Sequence, residues 1–134
     1  MSKLCFRLCN QAGVQACIER DGVWIKIGKN TKRFDLKTNL EEKWFKNPKA
    51  YLSISGSFMY LISDGELNLL TLTCDKNNMV YADELEKGTK FIDANFSYEE
   101  TLLYALTDSN KIYVFSLLPP KKIQELFFDW DHIA

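Results

Sequence analysis

Apolar and polar residues alternate with a period of two over most of this chain, and the alternation stops at short clusters of Gly, Asp, Asn, Ser and Pro. KLCFRLC places Leu4, Phe6 and Leu8 on one face of a strand and Cys5, Arg7 and Cys9 on the other. VQACIER follows, then Asp21-Gly22 as a two-residue hairpin turn, because both residue types tolerate positive φ. VWIKIGK alternates Val23, Ile25 and Ile27 against Trp24 and Lys26; after a polar break at residues 28–32, KRFDLKT predicts an outer strand with Phe34 and Leu36 as its apolar positions. AYLSIS, FMYLIS, ELNLLTLT and MVYADEL predict four more strands, turning at Gly56-Ser57, Asp64-Gly65 and residues 75–78. FIDANFS, TLLYALT and KIYVFSL predict another three, turning at Tyr98-Glu99-Glu100 and Asp108-Ser109-Asn110. Pro119-Pro120 breaks the last of these, and KKIQEL reads as an outer strand or a helical turn. Residues 40–50, LEEKWFKNPKA, interrupt the β pattern: Glu41, Glu42 and Lys43 favour helix and Pro48 ends it, giving a short helical turn or a long loop.

The same unit recurs along the chain. GVQACIERDGVWIKI, SFMYLISDGELNLLTL and ETLLYALTDSNKIYVFSL each contain an apolar-rich run, a turn opened by Asp and a second alternating run. The opening residues Asp21, Asp64 and Asp108 are 43 and 44 positions apart (64 − 21 and 108 − 64). Hairpin units at roughly 40–45 residues are the signature of propeller blades.

The third unit carries a likeness to a known family. DANFSYEETLLYALTDSNKIYVFSL resembles a WD-repeat blade. Phe96-Ser97 with its acidic turn stands where such blades carry a Phe-Ser-Pro-Asp-Gly type turn. Residues 102–106 match the small and apolar strand, residues 108–111 the Asp-Gly hairpin, and Ile112, Val114 and Phe115 the Ile-x-Val-Trp strand. The second unit is similar with a shortened first turn, and the first is similar through Asp21-Gly22 and its flanking strands. The motifs are degenerate. Phe115-Ser116 and Leu70-Thr71 replace the closing Trp-Asp pair, no Gly-His pair occurs, and Trp130-Asp131 lies outside the motif position. The resemblance implies a divergent propeller-like array that presents surfaces, without the family's structural tetrad.

A four-stranded sheet cannot bury both faces alone, so stacked neighbours must share cores. Known propellers use about 4 to 8 blades, whereas this chain supplies three such units. Two copies closing a six-blade ring, a partner protein supplying the missing blades, or collapse into a different small β architecture would each resolve the shortfall.

Length and composition fit one domain with a real core: of 134 residues 46% are hydrophobic and 13% aromatic, which excludes a disordered chain. The net charge of −1 names no partner, but its distribution is uneven. Residues 1–50 hold 11 Lys and Arg against 5 Asp and Glu, a net of +6; residues 51–134 hold 6 against 13, a net of −7. Solvated faces that have drifted apart, or a first unit that meets the last unit of another copy, both fit this asymmetry. MSKLCFRLCNQ lacks a secretory apolar core, no run approaches a membrane span, and four cysteines without a signal suggest reduced thiols in the cytosol or nucleus.

Candidate chemistry is sparse. His132 is the single histidine and sits two residues from the end, a poor base for a triad or metal site. Cys5, Cys9 and Cys17 lack zinc-ligand spacing and, with Cys74, are expected in the core; no metal or cofactor is expected. No phosphate loop is present. Asp64, Asp75 and Asp108 fall in turns where Asp serves the backbone; with Asp83 they are the carboxylates a small enzyme would have to use. Lys26, Lys29, Lys32, Arg33 and Lys37 lie beside Trp24 and Phe34, so they form either a groove for single-stranded nucleic acid or a charged edge that discourages strand addition. Trp44 and Phe45 in the insert, and Phe127, Phe128 and Trp130 in the tail, either cap the core or serve as partner anchors.

The sequence thus predicts an all-β single domain, residues 1–134: three tandem antiparallel meander sheets resembling propeller blades, closed by dimerisation or by a partner. The units span about residues 3–40, 50–86 and 90–126, with the insert at 40–50 and an apolar tail at 127–134. The expected function is a non-enzymatic protein-interaction module or adaptor in the cytoplasm, pairing with itself as a homodimer or with another protein, and with no membrane. A nucleic-acid-binding subunit using the basic first third, and a small enzyme using turn carboxylates, are the alternatives.

Overall fold

The computed structural model describes residues 4–72 and 79–127. Twelve strands form three four-stranded antiparallel meanders. Blade 1 contains β1 (Cys5–Cys9), β2 (Gln15–Glu19), β3 (Gly22–Ile27) and β4 (Asn30–Leu36). Blade 2 contains β5 (Lys49–Leu52), β6 (Phe58–Ser63), β7 (Glu66–Thr71) and β8 (Met79–Leu85); blade 3 contains β9 (Phe91–Phe96), β10 (Leu102–Thr107), β11 (Lys111–Leu117) and β12 (Pro120–Phe127). The outer strands β4 and β8 pair in parallel at Asp35–Met79 and Leu36–Val80, which joins blades 1 and 2 into one folded eight-stranded sheet. A 3-10 turn, Glu42–Phe45, lies in the connection between blades 1 and 2. KKIQEL, open between strand and helical turn from the sequence, is strand β12.

The first hairpin departs from its predicted position. Ile18 pairs with Val23, so the loop is Arg20-Asp21 and Gly22 already belongs to β3. Gly22 is required for close approach: a Cβ there would lie 2.6 Å from the Arg33 guanidinium carbon and 2.8 Å from the Phe34 carbonyl oxygen on β4. The carbonyls of Asp21 and Arg20 accept from Leu36 N–H (2.9 Å) and Leu40 N–H (2.8 Å), which holds the loop one residue earlier. With this shift, β2, β6 and β10 end at Glu19, Ser63 and Thr107, a step of 44 residues each time (63 − 19 and 107 − 63). In blade 2 the expected hairpin forms, with Asp64 at φ 50° and Gly65 at φ 82°, both left-handed as a mirror-image two-residue turn requires.

A polar lock recurs at the first turn of each blade. Asn10 Oδ1 accepts from Val14 N–H (3.0 Å), Ser53 Oγ from Phe58 N–H (3.0 Å), and Ser97 Oγ from Leu102 N–H (3.0 Å). The backbone N–H groups of Asn10, Ser53 and Ser97 in turn donate to the carbonyls of Val14, Phe58 and Leu102. Such Asx- and Ser-type bonds satisfy turn groups that no ladder reaches.

Two cores separate the three sheets. Between blades 1 and 2 lie Val14, Ala16, Ile18, Val23 and Ile25 against Leu52, Met59, Leu61 and Leu70, with Trp44 closing one side. Between blades 2 and 3 lie Phe58, Tyr60, Ile62, Leu67 and Leu69 against Phe91, Leu103, Ala105, Tyr113 and Phe115. Blade 2 is covered on both faces, so every residue of FMYLIS is buried. Its continuous apolar run is what two-sided burial demands.

Candidate interaction faces

Blade 3 buries one face on blade 2 and turns the other outward. On β10, Leu102, Tyr104 and Leu106 alternate with the inward Leu103 and Ala105. Ile112 and Val114 of β11 stand beside Leu106 and Tyr104, and Leu126 of β12 stands beside Ile112. The outward face is therefore apolar across three strands, with Tyr104 41% and Leu126 40% exposed, Leu102, Leu106 and Ile112 half-buried, and Val114 3% exposed. A shallow hollow of about 240 Å³ is lined by Asp93, Asn95, Tyr104, Leu106 and Ile112. Positions two, four and six residues before the hairpin define this face in every blade. In blade 1 they are Ile18, Ala16 and Val14, and in blade 2 Ile62, Tyr60 and Phe58; all six are buried between sheets. In blade 3 the same positions, Leu106, Tyr104 and Leu102, have no sheet over them among the described residues.

Blade 1 presents the opposite chemistry at the other end of the stack. Its outward face carries Arg7, Gln15, Glu19, Lys26, Thr31 and Arg33, interleaved with Cys5, Cys9, Cys17 and Trp24. Trp24 Nε1 donates to Glu19 Oε1 at 2.9 Å, and the Arg33 guanidinium lies 5.8 Å from the Trp24 ring. Arg33 is also ion-paired with Asp21 at 3.1 Å and with Asp35. The sequence places the cysteines in the core, but Cys5 and Cys9 are exposed and Cys17 is half-buried, because no sheet among the described residues covers this face; Cys74 lies outside them.

Of the two arrangements open to the basic strip, a charged edge or an aromatic groove, the strip does not form the groove. Val23 pairs with Phe34 and Trp24 with Arg33, so Phe34 points into the first core at 5% exposure while Trp24 points out. Lys26, Lys29 and Lys32 flank the exposed β3–β4 hairpin, with Lys32 Nζ 5.3 Å from the Phe34 ring. Lys37 Nζ lies 5.2 Å from the ring of Tyr81 on blade 2. The structure thus disperses these five cations over a hairpin, an ion-pair cluster and an inter-blade contact. The charge contrast between the halves is also partly consumed internally: Lys43 is ion-paired with Glu66, and Lys49 lies 3.0 Å from Asp93.

Among the proposed anchors, Trp44 is 3% exposed within the first core and Phe45 is half-buried, edge-on to Phe6 at 5.6 Å. Both residues serve internal packing. Phe127 ends β12 at 69% exposure, while Phe128, Trp130 and His132 lie outside the described residues. Asp64 and Asp108 sit in hairpins of different blades and Asp83 is within β8; Asp75 is outside the described residues. Burial pushes the Tyr60 phenol up to about 12, with the Asp93 carboxylate adding to it, so this tyrosine stays neutral. Among the described residues no three His, Cys, Asp or Glu side chains are grouped to hold a metal ion, and no helix is long and apolar enough to cross a membrane. The outward face of blade 3 was not singled out from the sequence, although the positions two, four and six before the hairpin signal it.

No protein-family model matches the sequence, and no curated protein matches it significantly. Solved structures do match in three dimensions. A chain of the yeast heterotrimeric Nup82-Nup159-Nup116 nucleoporin complex is similar with a TM-score of 0.61 and 14% identity, over 98% of this chain and 36% of that one. A functionally unknown protein from Desulfotomaculum acetoxidans DSM 771 matches with a TM-score of 0.54 and 14% identity, over 96% and 45% of the two chains. The periplasmic gluconolactonase PpgL of Pseudomonas aeruginosa matches with a TM-score of 0.50 and 15% identity, over 90% and 39%. The chain spans less than half the length of each of these structures. At such identities the likeness shows the fold alone, a propeller-type β array.

Proposed function

We propose that this chain is a non-enzymatic protein-interaction module, a divergent WD-repeat-like array whose third blade takes up a further β-sheet from outside residues 4–127. The observation that carries this is the outward placement of Leu102, Tyr104 and Leu106 at positions that are buried between sheets in the other two blades. The similarity to a chain from a nucleoporin complex supports a role within an assembly. Exposed free Cys5 and Cys9 support a reducing compartment such as the cytosol.

The partner is better sought in a different protein than in a second copy. A second copy could offer its blade 1, but burying Arg7 and Lys26 against Leu106 and Tyr104 strips charges of water at a cost of several kcal/mol each. It could instead offer its own blade 3. Four strands about 4.8 Å apart and about 3.3 Å long per residue give each face a footprint on the order of 400 Å². Stable interfaces bury about 1,200–2,000 Å² in total, so two such faces alone would hold only weakly, and a different protein must add contacts beyond this face.

Light scattering after size exclusion, run as a dilution series on the wild type and on Leu106→Lys, tests the proposal. The expected result is a mass near 15.6 kDa at low concentration, rising with concentration for the wild type only. A concentration-independent species of twice that mass, broken by charge reversal at Lys32 and Arg33, would overturn the proposal in favour of a two-copy ring. A mass that never rises, with uptake of an apolar dye unchanged by Leu106→Lys, would show that the blade 3 face is inert.

A further inference from the structure

The first turns of all three blades meet around an open hollow of about 490 Å³ between blades 2 and 3. Tyr51, Phe96 and Tyr98 supply aromatic walls, Ile54 an apolar one, and Glu100 a carboxylate. Tyr51 and Phe96 are half-buried with ring centroids 6.4 Å apart, and both rest on the buried Tyr60, at 6.1 and 5.8 Å. They form a rigid aromatic floor. Tyr98 stands on the β9–β10 turn with 98% of its surface exposed, an aromatic ring with no packing of its own beside a hollow that lacks a lid. Glu100 is fixed by Ser55, whose Oγ donates to Oε1 at 2.6 Å and whose N–H reaches Oε2 at 3.2 Å. Among the described residues no cation pairs with Glu100, and no lysine or arginine lines the hollow. The remaining polar walls, including Gln11, Asn95 and Ser97, are neutral.

We propose that this hollow binds the ammonium of a lysine side chain presented by an extended segment of a partner protein. An aromatic face attracts a cation through its quadrupole, and a positioned carboxylate adds charge, whereas an anion would meet only repulsion from both. The alkyl stem of lysine fits the apolar wall at Ile54 while its head reaches Glu100. Asn95 borders both this hollow and the outward face of blade 3, but Leu106 does not line the hollow and Tyr98 and Glu100 do not line that face, so Leu106→Lys and the Tyr98 and Glu100 variants test the two proposals separately.

The test is a titration of the whole chain, followed by backbone amide NMR, with acetyl-Gly-Lys-Gly-amide, its trimethyllysine form and its norleucine form. Both cationic peptides are expected to shift the Ile54, Tyr98 and Glu100 amides saturably, and the neutral norleucine peptide, which keeps the alkyl stem without the ammonium, is not. Tyr98→Ala should weaken binding about fivefold and Glu100→Gln about tenfold, the latter gap narrowing in high salt. Tyr98 touches little in the folded chain, so its truncation leaves folding intact, and Gln at position 100 retains an acceptor for Ser55. Equal shifts by the norleucine peptide, no shifts at all, or wild-type affinity in both variants would each overturn the proposal.

Discussion

Asn10 is the polar keystone between blades 1 and 2, and its removal has a cost that follows from the geometry. The side chain is 8% exposed and makes four hydrogen bonds. Oδ1 accepts from Ala12 N–H at 2.9 Å and Val14 N–H at 3.0 Å, while Nδ2 donates to the Ser53 carbonyl at 2.7 Å and the Ile54 carbonyl at 3.1 Å. The bonds to Val14 and Ser53 are fully buried; the other two are only partly so. Asn10→Ala leaves the buried Val14 N–H without its acceptor and takes one of two donors from the Ser53 carbonyl, which keeps Gly56 N–H at 2.9 Å, so the loss should be about 2 kcal/mol. For a chain of this size that corresponds to a fall in melting temperature of roughly 7 °C. Urea denaturation of Asn10→Ala, with Ser97→Ala as the comparison, measures it. Ser97 makes the same lock in blade 3 with bonds that are exposed or half-buried and bridges no second blade, so it should lose about 1 kcal/mol. Asn10→Asp keeps the acceptor but faces the Ser53 and Ile54 carbonyls with a carboxylate, so it should be no more stable than the alanine variant. A loss below about 1 kcal/mol for Asn10→Ala, or equal losses at positions 10 and 97, would refute the claim that this asparagine couples the two sheets.

Trp44→Ala removes a side chain buried at 3% exposure in the first core, so denaturant unfolding should show a loss of about 3–5 kcal/mol, against a clearly smaller loss for the half-buried Phe45. If Trp44 were instead a partner anchor, its truncation would leave stability intact. The Lys111 ammonium that donates to Glu125 at 2.9 Å holds that carboxyl below the ordinary carboxylate range, with Lys122 assisting. A depressed carboxyl stabilises the fold above its unfolded-state value and loses that contribution as pH falls through the folded one. Glu125→Gln should therefore be less stable than the wild type at neutral pH and converge with it in acid, as thermal melts across pH will show; a gap that persists in acid would exclude this pair as its cause.

Much of the fold was legible because strand periodicity and turn chemistry are local. Phe6 and Leu8 alternate with Cys5, Arg7 and Cys9 as the period of two requires, and Asp64-Gly65 turns where both residues can take positive φ. The misplaced first hairpin shows where local chemistry loses to tertiary contact. Asp21-Gly22 is an acceptable turn, but β4 presses on Gly22 and the chain at residues 36–40 claims the loop carbonyls, so Arg20-Asp21 turns instead. The Trp24–Phe34 groove fails for a related reason. Once Gly28-Lys29 forms the next hairpin, Trp24 must pair with Arg33, which leaves Phe34 on the opposite face. That register is countable from the sequence when the turn is placed first.

The sequence alone determined eleven of the twelve strands, their grouping into three meanders and the alternation of sides along each strand, because these depend on backbone sterics and on spacing within some 40 residues; β12 stayed open between strand and helical turn. Only the tertiary structure decided which of those sides is covered. Cys9 and Leu61 are both apolar enough for a core, yet one faces water on the outer side of blade 1 and the other is wholly buried in the middle sheet. Tyr60 and Tyr104 occupy the same position before their hairpins, but the first lies between two sheets and the second lies on the open face of the last. Burial is a property of neighbours distant in sequence, so a residue's own pattern cannot supply it. The open face of blade 3 and the hollow beneath Tyr98 came into view only when the sheets were stacked.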